Sequence, residues 1–231
     1  MQSEMININK KYILLTSLIV CIFLYILEQV LNVDYLVKTL AKILLFTVVP
    51  YVYIKFIKKT TIKESINYKK IDKHHLRNGS VLGIVCFVII LLTFFVFKDV
   101  LNLKAILAEL QNKSKISKGN FIFVGLYITL CNSFLEEFFF RGFIFLNLYE
   151  LKLKKCAYVY SSLLFGIYHI SIFKTWFSFW LIALALVGLI SAGFILNWVN
   201  TKSNNFINSW IVHILADSAI ILIGMKMFGI L

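Results

Sequence analysis

Proline is nearly absent from this sequence, since Pro50 is the only one in 231 residues. The chain also lacks Pro-, Gly- or Ser-rich linkers, internal repeats and low-complexity segments. Features of these kinds divide a chain into separate domains or mark it as disordered. Their absence predicts one bundle rather than several units joined by linkers.

Cysteine is scarce and scattered. The four cysteines have no Cys-x-x-Cys spacing and fall mostly inside apolar segments. This pattern argues against both a disulfide framework and a thiolate metal site, and it is typical of small buried side chains. The cysteines are Cys21, Cys86, Cys131 and Cys156.

Acidic residues are also few, with 11 Asp and Glu against 24 Lys and Arg, which gives a net charge of +13. We nevertheless predict no nucleic-acid partner, because the basic residues lie at the ends of apolar segments, where they anchor helices and set topology. The largest basic cluster could attract anionic lipid headgroups. It comprises Lys55, Lys58, Lys59, Lys63, Lys69, Lys70, Lys73 and Arg77.

Apolar residues, by contrast, make up 60% of the chain, and the mean hydropathy is +0.85. Soluble domains are about 45–50% apolar, so we predict an integral membrane protein, an all-α polytopic bundle in contact with the lipid bilayer. A spanning helix needs about 20 apolar residues, and seven segments qualify. They are about 12–31, 37–57, 80–97, 121–148, 156–173, 176–199 and 207–225.

The first half of the chain supplies general membrane features. Lys10 and Lys11 precede the first span without a cleavage site, which favours a spanning helix over a removed signal peptide. The second span is weakened by Lys38, Lys42 and Pro50, although a lysine near a helix end can snorkel to the interface. Residues 99–119 are expected to form an interfacial helix. We therefore assign residues 1–120 to N-terminal membrane helices with a basic loop and an interfacial segment.

Lysine and arginine positions also predict the orientation. With a cytoplasmic N-terminus, 14 basic residues would lie inside and nine outside, while Arg141 lies within the membrane. This excess favours a cytoplasmic N-terminus. The enrichment in Lys, Ile, Asn and Phe suits an AT-rich genome, and we expect a bacterial cell membrane.

The segment 121–148 carries ionisable residues where lipid-spanning helices avoid them. Glu136, Glu137 and Arg141 occur within six residues of an otherwise apolar run, and each costs at least ~2.5–3.5 kcal/mol at the bilayer centre. Glu137 and Arg141 are four residues apart and can pair, whereas Glu136 points about 100° away. Asn132, one turn before Glu136, is expected to line the same face. The cluster indicates a functional site.

Two later spans supply polar partners. Phe165-x-x-x-His169 lies in the fifth span and His213-x-x-x-Asp217 in the seventh. Because imidazoles and carboxylates in lipid are costly unless they satisfy one another, we expect them to converge on Glu136. A single such histidine is more often a helix–helix hydrogen bond, and Phe165 is expected to serve mainly in packing.

The ordered motifs Glu-Glu-x-x-x-Arg, Phe-x-x-x-His and His-x-x-x-Asp resemble those of the CPBP family of intramembrane proteases. This family is also called the Abi, or CAAX-protease-and-bacteriocin-processing, family, and it includes the type II CAAX prenyl endopeptidases. The resemblance covers residues 121–225, and it designates 121–231 as the catalytic helical core of the same bundle.

The resemblance implies roles for these residues. Glu136 would activate the attacking water, Glu137 and Arg141 would support it, and His169 and His213 would stabilise the oxyanion. Asp217 stands where many members have Asn; an ionised Asp cannot donate to an oxyanion, so it would orient His213 or hold a metal. The family is also described as metalloproteases. Two mechanisms therefore stay open, metal-free glutamate catalysis or a zinc ion held by Glu136, His169, His213 and Asp217.

The function implied is an intramembrane endopeptidase acting on a lipidated or hydrophobic peptide. CAAX-type processing, bacteriocin immunity and peptide-signal maturation are the roles that the family suggests. Two other classes remain open at this point: a non-catalytic immunity or scaffold protein of the membrane, and a small proton-coupled transporter.

Overall fold

Helices form the whole of the described fold, which a computed structural model gives for residues 2–66 and 72–231. Nine helices and no strand occur in these two stretches. Lys69 and Lys70 of the predicted basic cluster lie outside them. The helices are α1 Gln2–Gln29, α2 Tyr35–Ile57, α3 Ile62–Ile66, α4 Lys73–Phe97, α5 Leu103–Asn112, α6 Phe121–Glu150, α7 Lys154–Phe173, α8 Phe179–Ser203 and α9 Ile207–Met227.

Seven of these helices are long and apolar enough to cross a membrane, which confirms the predicted all-α spanning bundle. They are α1, α2, α4 and α6 to α9. The boundaries differ at the polar ends, because α1 extends back through Lys10 and Lys11 to Gln2 and α4 begins at Lys73. A helix continues beyond its apolar stretch where no Pro or Gly stops it.

The α2 helix continues through Pro50. Pro50 is buried within the helix, and the last turn, Tyr53–Ile57, is π-helical. A proline removes one backbone donor and crowds the preceding turn, and the neighbouring wide turn accommodates the change in hydrogen bonding. The helix therefore stays long enough to span, and Phe46 and Tyr53 enter the core.

The centre of the molecule is α6. Its phenylalanines Phe139, Phe140, Phe143 and Phe145 are at most 1% exposed, and Phe139 stacks on Phe46 of α2 with ring centroids 4.1 Å apart. Aromatic pairs contribute about 0.5–1.5 kcal/mol beyond the area they bury. The ring layer fixes α2 and α7 against α6 and so determines which side chains meet the two glutamates.

Glycines bring two pairs of helices into close contact. A Cβ on Gly193 of α8 would lie 2.9 Å from the Ser162 Cα of α7, and a Cβ on Gly83 of α4 would lie 2.5 Å from Leu215 Cδ1 of α9. Small residues at such positions allow helices in lipid to pack closely. The contact of α4 with α9 is the most extensive between helices, and it supports the helix that carries His213.

The outer surface is apolar, as a lipid-facing surface must be. Along α4 only Gly79 and Gly83 are buried, while Ile84, Ile89 and Leu92 are more than half exposed. The short helix α5 begins with the Asn102 side chain accepting from the backbone N–H of Ala105. It packs its apolar side near Phe121 and Phe228, at one end of α6 and α9. Its buried residue is Ile106.

Candidate active site

Both glutamates lie on a short α-helical stretch of α6 between two π-helical segments. Ser133–Glu137 is α-helical, whereas Tyr127–Asn132 and Phe138–Leu146 are π-helical. Glu136 is 1% exposed and Glu137 is fully buried. Wide turns of this kind are rare and occur frequently at functional sites, where they turn side chains away from ordinary helical spacing.

Glu137 and Arg141 form the ion pair that their spacing predicts. Arg141 Nη1 lies 3.0 Å from Glu137 Oε1, and both side chains are fully buried. The guanidinium nitrogens have no hydrogen-bond partner among the described residues, so this contact is an ion pair only. The Cζ atom of Arg141 also lies 3.9 Å from the centroid of the Phe165 ring. The pair and the ring together compensate the burial of the cation.

Glu137 also orients the second imidazole. His213 Nδ1 lies 2.9 Å from Glu137 Oε1, and since a carboxylate only accepts, Nδ1 carries the proton and donates. The other ring nitrogen, Nε2, then faces Glu136 Oε2 at 3.8 Å.

His169 is oriented by backbone. Its Nδ1 lies 2.7 Å from the carbonyl oxygen of Phe165 and donates to it. Nε2 is thereby directed at Glu136 Oε2, at 3.5 Å. The two imidazoles of α7 and α9 thus point their Nε2 atoms at the same oxygen of one buried carboxylate, as the predicted convergence required.

Asp217 meets the same group from α9. Its Oδ1 lies 3.7 Å from His213 Nε2, and its Oδ2 is buried with no hydrogen-bond partner in the described part of the chain. Glu137, rather than Asp217, therefore makes the close orienting contact with His213. The remaining predicted member, Asn132, donates from Nδ2 to Glu136 Oε1 at 3.1 Å.

One member of the cluster was missed by the sequence reasoning. Lys42 of α2 is only 7% exposed, and its Nζ lies 2.5 Å from Glu136 Oε1 and 2.5 Å from Asn132 Oδ1. Lys42 therefore points into the bundle and does not snorkel to the interface. The sequence position of Lys42 could have indicated this burial. Lys42 is seven residues into α2, roughly 10 Å along the helix axis, and an ionisable group at that depth in a membrane indicates a partner.

The side chains as placed do not fit a zinc ion. In the described ranges, no three His, Cys, Asp or Glu side chains are arranged to hold a metal. Glu136 would be the central ligand, but its Oε1 already contacts the Lys42 ammonium, whose positive charge opposes a divalent cation beside it. We therefore assign no step to a metal.

The match to known proteins covers this half of the molecule. Residues 118–219 match the family model of the type II CAAX prenyl endopeptidases described as Rce1-like. The chain is similar to this family. All eight predicted site residues, from Asn132 to Asp217, lie within the Rce1-like region, whereas Lys42 lies outside it.

A bacterial protein also resembles part of the chain. UPF0177 protein YxdF of Lactococcus lactis subsp. lactis (strain IL1403) is 40% identical over 78 residues, which are 34% of this chain and 37% of YxdF. The chain thus matches little more than a third of that relative. No solved structure matches the chain. The Rce1-like region and the seven apolar helices together identify an integral membrane protein.

Proposed function

We propose that this protein is an intramembrane endopeptidase in which Glu136 activates water for attack on a peptide bond. The observation that carries the proposal is one buried carboxylate oxygen, Glu136 Oε2, faced by two imidazole nitrogens at 3.5 and 3.8 Å. These separations exceed direct hydrogen bonds of about 2.7–3.2 Å. They suit groups that act together on a water and a carbonyl bound beside them.

The reaction proceeds through residues of this chain alone. Glu136 Oε2 takes a proton from water, and the water oxygen bonds to the scissile carbonyl carbon. The carbonyl oxygen becomes an oxyanion and accepts from the Nε2–H groups of His169 and His213. This step requires both rings as imidazolium, because their Nδ1 atoms already donate to the Phe165 carbonyl and to Glu137. When the C–N bond breaks, Glu136 returns its proton to the leaving amine. The products are a carboxylic acid and an amine, and the site is restored.

The supporting residues each fix one catalytic group. Glu137 holds His213 through Nδ1, and Arg141 neutralises Glu137. The Phe165 carbonyl holds His169. In this proposal Asp217, whose Oδ1 lies 3.7 Å from His213 Nε2, supplies a negative charge beside that ring.

We propose a lipidated or hydrophobic peptide as the substrate, with a prenylated CAAX tail as one option. The likeness to type II CAAX prenyl endopeptidases supports this class. An apolar groove of about 510 Å³ also runs between α4, α6 and α9, and it includes Ile214 and Ser218, the neighbours of His213 and Asp217. The groove supplies apolar surface for a hydrophobic segment on the helices that carry Glu136 and His213. Bacteriocin immunity and peptide-signal maturation remain roles that such an activity could serve.

The test compares membrane peptides by mass spectrometry in cells carrying wild type, Glu136→Gln or Glu28→Gln. Gln keeps the size of Glu but cannot take the proton, so cleavage per amount of folded protein should fall by ~10²–10⁴-fold. Glu28, paired with Lys38 at 2.5 Å outside the site, is the control, and its variant should cleave as wild type.

The outcomes separate the classes of function. A peptide that stays uncut only in Glu136→Gln membranes supports the endopeptidase. Identical peptide profiles in wild type and Glu136→Gln would overturn it. A scaffold would keep its phenotype in the variant, and a transporter would lose proton-coupled flux without any change in peptides.

A further inference from the structure

Lys42 is a buried cation from a helix that the family match does not reach. Its ammonium contacts Glu136 and Asn132 and lies 5.6 and 5.2 Å from the ring centroids of Phe46 and Tyr168. A buried ammonium is costly unless it is paired and hydrogen-bonded. Here its partner is the carboxylate that carries the proposed chemistry.

The contacts divide the two oxygens of Glu136 between different tasks. Oε1 accepts from Lys42 Nζ at 2.5 Å and from Asn132 Nδ2 at 3.1 Å. Oε2 accepts from neither and faces His169 and His213. Fixing one oxygen sets the rotation of the carboxylate about its last bond, and that rotation determines where the reactive oxygen points.

We propose that Lys42 is a positioning residue and the resident counter-ion of Glu136, supplying at this site the positive charge that metalloproteases take from a metal. The inference rests on the proposed function. Lys42 touches Glu136 rather than the substrate, so it acts on the reaction through the general base.

The charge of Lys42 also suits the reaction steps. Before attack, the ammonium balances the Glu136 carboxylate. After Glu136 has taken the proton, it is neutral, and the negative charge has moved to the oxyanion beside the imidazoles. The net charge of the site is therefore the same before and after attack. Catalysis then relocates charge in a low-dielectric interior instead of creating it, which is the less costly process.

The first test is Lys42→Met, which keeps the length of the side chain and removes its charge. The substrate is a synthetic copy of the peptide that stays uncut in Glu136→Gln membranes. We expect kcat to fall by ~10–100-fold, the range lost when a group that orients a reactive ligand is removed. KM should change little, because Lys42 does not contact the substrate.

The matched control is Lys38→Met. Lys38 is one turn away on the same helix and forms an ion pair of the same length, 2.5 Å, with Glu28. Its variant should keep the wild-type kcat. A wild-type kcat in folded Lys42→Met, or an equal loss in Lys38→Met, would overturn the proposal.

The second variant moves the charge. Lys42→Met combined with Asn132→Lys places an ammonium one helical turn before Glu136, on the same face. Because the charge near Oε1 is restored, kcat should rise above that of Lys42→Met. A role of Lys42 in packing alone would give no such recovery, so an unchanged or lower kcat in folded protein counts against the proposal.

Folding provides the third measurement, which remains decisive if Lys42→Met is poorly folded. Removing one ion of a buried pair leaves the other unpaired, whereas removing both relieves the cost. Lys42→Met combined with Glu136→Gln should therefore melt at a higher temperature than Lys42→Met in the same detergent. Simple additivity of the two changes would show that the groups do not pair and would overturn the proposal.

Failure of this inference is distinct from failure of the proposed function. If wild type and Glu136→Gln cleave alike, the endopeptidase proposal itself falls. If only Glu136→Gln loses cleavage while Lys42→Met keeps the wild-type kcat, the role of Lys42 alone is overturned.

Discussion

At the residue scale, the site is a set of charges that compensate one another. Three carboxylates, Glu136, Glu137 and Asp217, meet Lys42 and Arg141 together with two imidazoles. Each ion is too costly to leave unpaired in a lipid-surrounded interior. The site therefore depends on partners as much as on the reacting groups, and single changes should affect folding in ways that depend on which partner remains.

The Glu137–Arg141 pair provides a prediction at this scale. Glu137→Gln leaves a fully buried guanidinium without its counter-ion, and the loss of one partner of a buried pair costs about 3–5 kcal/mol. We expect a clear fall in the midpoint of thermal unfolding in detergent, together with lower folded yield. Combining it with Arg141→Met should recover much of the loss.

The control for that experiment is Lys58→Met. Lys58 pairs with Glu150, which is 65% exposed, and such exposed pairs contribute only about 0–1 kcal/mol. Its unfolding midpoint should stay near that of wild type. If the unfolding midpoint of Glu137→Gln were as high as that of Lys58→Met, the Glu137–Arg141 pair would have no structural role.

At the scale of the helices, close packing fixes the positions of the clustered side chains relative to one another. The α7 helix, which carries His169, packs against α8 through Gly193, where an added Cβ would meet the Ser162 backbone at 2.9 Å. Backbone cannot move aside as a flexible side chain can. The distance of His169 from Glu136 therefore depends on a residue far from both in sequence.

Gly193→Ala should destabilise the protein by about 1–3 kcal/mol through overpacking. Gly188→Ala is the control on the same helix, because nothing lies within 4 Å of its Cβ position; there alanine should be neutral or stabilising by up to about 1 kcal/mol. Unfolding in detergent measures both. Equal stabilities of the two variants would contradict the close contact of α7 and α8.

The helices and the convergence of the motifs could be predicted from sequence, because apolar length determines spans and buried charges must find partners. Glu136, His169 and His213 therefore met as expected. The π-helical turns around Glu136 could not be foreseen, since no local pattern distinguishes them from ordinary helix. Lys42 was missed for another reason: a lysine can snorkel, and only the packing of α2 on α6 directs it inward.

At the scale of the whole molecule, the seven apolar helices form one lipid-facing bundle, and the cytoplasmic position of the N-terminus stays a prediction. The assignment of residues 1–120 to N-terminal membrane helices and of 121–231 to a catalytic core also stays a prediction. The structure nevertheless shows that the two parts share a core, because Phe46 and Tyr53 of α2 pack with the phenylalanines of α6.

At this scale we also predict that the proposed cleavage does not require a metal ion. Because Lys42 already holds Glu136 and the donors do not form a metal set, cleavage should persist after exhaustive dialysis against chelators, and the purified protein should contain no stoichiometric zinc by elemental analysis. A chelator that abolishes cleavage, with recovery on addition of zinc alone, would restore the metalloprotease mechanism.

The ion pair between Lys42 of α2 and Glu136 of α6 joins the first half of the chain to the second. A fragment confined to residues 118–219 would retain every motif that resembles the peptidases, yet Glu136, the proposed general base, would have lost the ammonium that neutralises it. Transplanting those motifs into another membrane scaffold would meet the same obstacle unless a cation came with them. Searches for functional relatives should therefore ask whether an early helix offers a deep lysine or arginine, since motif conservation alone would overlook that requirement.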